Sequence, residues 1–292
     1  MNNKKWPWKV NVENSNQDVS KYPKISIITS SFNQGQYIEE TIRSVVYQNY
    51  PNFEYIIIDG GSTDNTIEII NKYSMYISYW VSEPDFGCAN ALNKGLEKAT
   101  GEFFYYLNSD DYLLENALSI FYNHLCKYPS YNVYYGHGLI LDERNNLFYN
   151  FYSGFWSLQN YLNGLAPIAQ QATFLDLNFV KKQNLKFNEQ NKTCWDGELL
   201  VDFALQKASF SRMSFKSVIG VFRLHGASIT GSGTNYETYK NDLNRISKKI
   251  ISFKPKLLVQ NGMFYKVKNI LRDPLMYVHR LYAKAFKTKL IN

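Results

Sequence analysis

Glu102-Phe103-Phe104-Tyr105-Tyr106-Leu107-Asn108-Ser109-Asp110-Asp111 sets an apolar run directly against two adjacent carboxylates. Residues 102–107 have the length and aromatic content of a buried strand. Upstream, the run has three precedents: Ile25-Ser26-Ile27-Ile28-Thr29, then residues 53–58, then residues 77–81. Helical spacing fills the gaps. Tyr37, Ile38, Ile42, Val45 and Val46 mark a helix over 36–48, stopped by Pro51. Residues 66–73 form a second, and 89–99 a third, with Gly101 as its cap. Strand and helix in strict alternation predict an α/β fold: a doubly wound, mostly parallel, Rossmann-like sheet covered on both faces.

Ligands of such sheets sit beyond the carboxyl ends of the strands. Each of the four strands here ends in a polar cluster: Ser30-Ser31-Phe32-Asn33, Asp59-Gly60-Gly61-Ser62, Glu83-Pro84-Asp85 and Asn108 to Asp111. Four polar clusters on one edge make a candidate site. The second half is less regular. Residues 133–135, 138–141 and 147–151 are predicted as strands of a smaller antiparallel element, and 173–175 as another strand. Residues 196–208 form a helix, 215–224 a strand ending at His225, and 236–253 a helix.

The chain has 292 residues, 45% of them apolar and 20% charged, which suits one large globular domain or one domain with an appendage. Aromatic residues reach 16%; they suit carbohydrate contacts but equally fill cores. Cys88, Cys126 and Cys194 show neither zinc spacing nor a disulfide framework, and point to a reducing cytosol. From Arg245 to Asn292 there are twelve basic residues against one acid, Asp273, a net +11 that leaves −4 of the formal +7 on the rest. The body therefore needs no nucleic acid to explain its charge. The N-terminus around Trp6-Pro7-Trp8 lacks the apolar core of a signal peptide, and no stretch of ~18 apolar residues predicts a membrane span.

Adjacent carboxylates at a strand end are costly unless a positive charge meets them. Mg²⁺ or Mn²⁺ is the natural counter-charge for Asp110-Asp111, bridging to a diphosphate; the competing reading is a helix cap. Asp59-Gly60-Gly61-Ser62-Thr63-Asp64 likewise reads either as a tight turn that caps a helix or as a nucleotide contact. It lacks both the Walker and the dinucleotide glycine patterns.

These motifs, continued by Ser82-Glu83-Pro84-Asp85-Phe86-Gly87, Ala91-Leu92-Asn93-Lys94-Gly95 and Ala99-Thr100-Gly101-Glu102, resemble in order and spacing the family 2 glycosyltransferases. The resemblance is dense from about Pro23 to Leu118 and patchier to about Thr230. It implies a glycosyltransferase-A fold, a nucleotide-diphosphate sugar donor (UDP-sugar by default), inversion at the anomeric carbon, and a role in bacterial surface polysaccharide synthesis. Ser30, Phe32 and Asp59 would hold the nucleoside, with Asp85 and Lys94 nearby. Asp111 is the expected direct ligand of Mn²⁺ or Mg²⁺, and Asp110 a metal or donor-sugar contact. Ser109 departs from the acid usual there. Asp196 in Trp195-Asp196-Gly197-Glu198 matches the catalytic base, with Glu198 in reserve and helix capping as the alternative. His225, in Phe222-Arg223-Leu224-His225, would ligate the metal or touch the diphosphate. The implied organisation is an arm over 1–22, a catalytic domain over 23–235 divided at 118, and a basic helical extension over 236–292. In that extension Leu275, Val278, Tyr282, Ala285 and Phe286 recur at helical spacing, with Arg280, Lys284 and Lys287 on another face. Two readings stand: peripheral contact with an anionic membrane, as a lipid-linked glycan acceptor would suit, or a solvated face packed on the body. Two competitors remain: a sugar nucleotidyltransferase, disfavoured because Ser30 to Gln36 offers no cation for a triphosphate, and a non-catalytic glycan- or nucleotide-binding protein.

Overall fold

A computed structural model of the chain describes residues 7, 18–229, 235–255, 257, 262–274, 278 and 288–289. Most of the 1–22 arm, Thr230, and Leu275, Arg280, Tyr282, Lys284, Ala285, Phe286 and Lys287 of the tail lie outside the described residues.

The first half folds as the alternation requires. Its order is β1 (Ile25–Ser31), α1 (Ile38–Val46), β2 (Phe53–Asp59), α2 (Thr66–Lys72), β3 (Tyr79–Ser82), α3 (Cys88–Lys98) and β4 (Phe103–Tyr106). Then come β5 (Tyr112–Leu113), α4 (Ala117–Lys127), β6 (Val133–Tyr135), β7 (His137–Asp142), β8 (Leu147–Phe151), α5 (Leu158–Leu162), β9 (Thr173–Asp176) and α6 (Leu177–Gln183). The chain continues through α7 (Trp195–Leu205), β10 (Phe210–Arg212), β11 (Val218–Leu224), α8 (Tyr236–Phe253), α9 (Gly262–Arg272) and β12 (Thr288–Lys289).

The larger sheet has the order β10-β6-β9-β4-β1-β2-β3, with β4, β1, β2 and β3 mutually parallel. Every residue of β1 is buried: its isoleucines fill the cores, and hydroxyls among them are satisfied there, Ser26 on Glu54 and Thr29 on Tyr55. Side chains alternate between two cores. Ile25 and Ile27 pack with Ile57, Tyr105 and the faces of α1 and α4; Ile28 packs with Ile56, Ile58, Phe104 and the faces of α3 and α7. Each fully buried isoleucine contributes roughly 1.5–3 kcal/mol. Because Ser31 pairs with Asp59 and Asp59 with Ser82, the polar ends of the parallel strands arrive at one edge.

Two expectations are corrected. Residues 133–135 join the larger sheet as β6, between β10 and β9, rather than the smaller element; all three are buried, which an interior strand demands. The smaller sheet, β12-β8-β7-β11-β5, is antiparallel except for the parallel pair β7 and β11. Gly101 does not cap α3, which closes at Ala99 with extended backbone. A Cβ at Gly101 would lie 2.6 Å from the Lys24 carbonyl oxygen and 2.8 Å from the Ser26 amide nitrogen. The glycine is there so that the chain can pass against the start of β1.

Helix α8 docks through Ile246 and Ile250 on Cys194 and Val201 of the α7 region. Beside them Arg245 grips the buried Glu198 through two nitrogens at 2.7 and 2.8 Å, and Lys249 adds a contact at 3.3 Å. Among the described residues no helix is long and apolar enough to cross a membrane. Cys88, Cys126 and Cys194 are free thiols.

Candidate active site

The polar strand ends open into a cleft of about 830 Å³. One wall carries Ser30, Phe32, Asp85, Asn108 and Asp110 from the parallel strand ends. The smaller sheet contributes Gly138, Ile140, Phe151, Phe222 and Leu224, and Asp196 at the start of α7 lines the same cleft.

The two adjacent acids point in opposite directions. Asp111 is fully buried: its Oδ1 accepts the Arg223 amide at 2.8 Å, and its Oδ2 accepts the Gln171 side-chain amide at 2.7 Å. Burial, and then the Asp110 carboxylate beside it, push its carboxyl well above the ordinary range. The expected direct ligand is thus turned inward, joining β11 to the acid turn. Asp110 lines the cleft instead, with its Oδ2 accepting His225 Nε2–H at 3.0 Å. The imidazole is held by the Tyr37 ring, whose centroid is 4.7 Å away.

Arg223 holds this turn from beneath. Its guanidinium donates to the Asp110 carbonyl at 2.8 Å, to Glu143 Oε1 at 2.7 Å and to Glu40 Oε2 at 2.6 Å. It also lies 4.8 Å from the Tyr37 ring centroid. One buried cation therefore ties α1, the β7–β8 connection and the acid turn together. Charge-assisted bonds of this kind fix geometry as well as adding stability.

The donor-side expectations divide. Ser30, Phe32, Asp85 and Asp110 line the cleft; Asp59 and Lys94 do not. Asp59 is wholly buried, its Oδ2 accepting from the Gly61 and Ser62 amides at 3.0 and 2.8 Å and from Ser82 Oγ at 2.7 Å. Those bonds shape the turn in which Gly61 takes φ 84°, and present Gly60 to the cleft. Lys94 pairs with Glu83 at 2.6 Å. Cys88 lies on the lining with Sγ 3.0 Å from Ser30 Oγ; burial pushes its thiol up to about 12, unsuited to a nucleophile.

Asp196 occupies the first turn of α7 and faces the cleft. Desolvation raises its carboxyl above the ordinary aspartate range, against the pull of the helix amides of Gly197 and Asp196. A raised, cleft-facing carboxyl has the character of a general base. Glu198, two residues on, points the other way into its cage of Arg245, Lys249, Asn188 and Asn191, and is driven down to about 2. That acid anchors α8 and is not on the cleft lining.

Arg223, Gln171 and Asn108 had no assigned role in the sequence. The one available signal was an arginine one residue from the end of an otherwise apolar strand, which is costly when buried unless paired. Among the described residues no three His, Cys, Asp or Glu converge as a metal cluster. Of the expected metal residues only Asp110 is on the cleft lining; His225 is buried behind it, and the two form a carboxylate–imidazole pair of the ligand types a divalent cation takes.

The glycosyl transferase family 2 pattern matches residues 26–196, more than half of the chain. TuaG, a putative teichuronic acid biosynthesis glycosyltransferase of Bacillus subtilis, is 42% identical over 94 residues, covering 30% of this chain and 36% of its own. GlyG, a glycosyltransferase of Streptococcus pneumoniae, is 32% identical over 133 residues, 44% of each chain. The matches thus span about a third to under half of the length of these curated relatives. Among solved structures, S. aureus TarS 1–349 in complex with UDP-GlcNAc superposes with a TM-score of 0.60 at 19% identity, covering 87% of this chain and 78% of that one. The Pyrobaculum calidifontis mannosyltransferase PcManGT, in complex with GDP-Man and Mn²⁺, gives 0.57 at 15% identity over 95% and 80%. The chain belongs to glycosyl transferase family 2, and the expected glycosyltransferase-A type α/β fold is the one observed.

Proposed function

We propose that this protein is a metal-dependent, inverting glycosyltransferase. It moves a sugar from a nucleotide-diphosphate donor, a UDP-sugar, to an acceptor hydroxyl in bacterial surface polysaccharide synthesis. Residues 23–235 form its catalytic domain and residues 236–292 a basic helical extension. The observation that carries the reading is the composition of the cleft: Asp85, Asp110 and Asp196 line it, and among the described residues no lysine or arginine does. A diphosphate brought beside three acids needs a cation with it.

Ser30, Phe32 and Asp85 hold the nucleoside end, with Asp59 shaping the turn beneath. Asp110 and His225 hold Mn²⁺ or Mg²⁺, which when bound neutralises the departing diphosphate. Asp196 takes the proton of the acceptor hydroxyl. The acceptor oxygen then bonds to the anomeric carbon from the face opposite the leaving group, and the anomeric carbon–phosphate oxygen bond breaks with its electron pair leaving on the nucleoside diphosphate. Proteins of similar fold support the donor class: TarS binds UDP-GlcNAc, and PcManGT binds GDP-Man and Mn²⁺. TuaG, named for teichuronic acid biosynthesis, supports the polysaccharide setting. A nucleotidyltransferase is disfavoured by the same lack of cations for a triphosphate. Peripheral membrane contact is proposed for the basic C-terminal extension, in which α9 also exposes Phe264, Val267 and Leu271 beside Lys268 and Arg272.

The test is release of nucleoside diphosphate from a UDP- and GDP-sugar panel with Mn²⁺, Mg²⁺ or chelator. Metal-supported turnover of a nucleotide-diphosphate sugar is expected. Metal-independent turnover rejects the cation, and no turnover of any donor with any acceptor rejects the transferase.

A further inference from the structure

The segment that delivers Asp196 to the cleft has no apolar side chain with which to anchor itself. Asn188-Glu189-Gln190-Asn191-Lys192-Thr193 runs from the buried Phe187 to Cys194, so polar contacts must set its path. Asn191 supplies the inner ones: its Oδ1 accepts the Thr193 and Cys194 amides at 3.2 and 2.9 Å. The outer ones come from α8. Asp242, 6% exposed, accepts the Lys192 amide at 3.0 Å and the Thr193 hydroxyl at 2.8 Å, both on Oδ2. Its Oδ1 accepts Arg245 at 3.4 Å, and the same arginine holds Glu198 in the first turn of α7. Thr193, Trp195 and Asp196 all line the cleft.

A carboxylate is costly to bury, and both loop bonds of this one fall on the residues three and four positions before Asp196. Asp196 sits in the first turn of α7 with its carboxyl on the amides of Gly197 and of its own residue, so its place follows the entry of the helix. Asp242 itself lies beyond residue 196, where the family pattern ends. We propose that Asp242 is a positioning residue for transfer: by holding Lys192 and Thr193 it fixes where Asp196 stands, and α8 thereby serves the reaction as well as the packing. This rests on the transferase reading above, in which Asp196 takes the acceptor proton. The leverage is large, because misplacing a reacting group by about 1 Å can cost about 10²-fold in rate.

The experiment compares Asp242→Ala in the full chain with Ile250→Val, which loosens the same helix at a buried contact without touching the loop. Both are studied well below their melts. Hydrogen–deuterium exchange of residues 188–197, read by mass spectrometry, needs no turnover; it is expected to be at least tenfold faster in Asp242→Ala and parent-like in Ile250→Val. For transfer, kcat is expected to fall at least tenfold in Asp242→Ala while UDP affinity stays within about twofold, and Ile250→Val should keep both. Asp242→Asn retains one acceptor oxygen and is expected to lose about threefold in kcat; it carries the test if Asp242→Ala has no cooperative melt. Parent-like exchange in Asp242→Ala overturns the proposal, as does faster exchange with unchanged kcat. An equal loss of kcat in Ile250→Val also overturns it, since any loosening of α8 would then suffice. A parent chain that turns over no donor removes the transferase instead, and faster exchange in Asp242→Ala then keeps Asp242 as the tether of the cleft wall.

Discussion

Asp110 Oδ2 and His225 Nε2 meet at 3.0 Å across 115 residues of sequence, one from the acid turn and one from the end of β11. Both residues are of the metal-ligating type, His225 through Nε2 once that nitrogen gives up the proton it donates to Asp110. Asp110→Asn and His225→Ala are expected to weaken Mn²⁺ binding at least tenfold in the presence of UDP, read by the electron paramagnetic resonance of free Mn²⁺. Unchanged Mn²⁺ affinity in both variants places the cation elsewhere.

Asp111 should behave differently. Its oxygens serve the Arg223 amide and Gln171, so Asp111→Ala leaves buried donors without an acceptor. A loss of about 2 kcal/mol of stability is expected, seen as a lowered urea midpoint. If Asp111→Ala melts like the parent yet no longer binds Mn²⁺, the assignment of Asp110 as the ligand is reversed.

Asp196→Asn is expected to retain UDP binding while transfer falls by about 10²–10⁴, measured by calorimetry and product formation. Burial raises this carboxyl in the folded chain, so the folded state holds its proton to a higher pH than the unfolded state does. Two consequences follow in opposite directions. Transfer should rise with pH along a limb that lies above the ordinary aspartate value of about 3.9. The ionised side chain costs stability at neutral pH, so the asparagine variant should melt slightly higher at pH 7 than the parent.

Arg223 is the clasp between the two sheets. Arg223→Gln strands Glu40 and Glu143 and frees the acid turn. A loss of about 3 kcal/mol is expected, together with weakened Mn²⁺ binding. Arg223→Lys keeps the charge but not the fork, and should recover part of the stability and little of the metal affinity.

Glu198 has the opposite pH signature to Asp196. Arg245, Asn188 and Asn191 offset its desolvation and hold it down at about 2, so its contribution is complete above the unfolded value of about 4.3 and fades as pH falls toward 2. Glu198→Gln should lower the melting temperature at pH 7, and the gap from the parent should narrow between pH about 4.5 and 2. A gap independent of pH would show that α8 does not depend on this pair.

The parallel core was readable because Ile25 to Thr29 and its successors combine apolar runs with regular helical spacing, and the strand ends carry the polar clusters. What was hidden depends on orientation or on distance along the chain. Asp110 and Asp111 are neighbours in one turn, and nothing in their types says which faces inward. Asp196 and Glu198 sit two positions apart on a helix, roughly 200° around its axis, so one reaches the cleft and the other α8. Asp59 and Lys94 belong to the right motifs but spend their side chains on a turn and on Glu83. Arg223 finds its carboxylates 183 and 80 residues away, beyond any local pattern. The three-residue strand β6 is too short to show a period, and its sheet was decided by pairing with β9 and β10.

A cleft lined by acids and by no basic side chain among its described residues also bears on how the enzyme lets go. On the proposed mechanism, the spent nucleotide is retained only while the divalent ion accompanies it. With no cation beside it, Asp85 and Asp110 would face the pyrophosphate as like charges and favour its release. Affinity for the product and occupancy by the ion are then two sides of one switch, and dilution of free Mn²⁺ should speed departure of UDP.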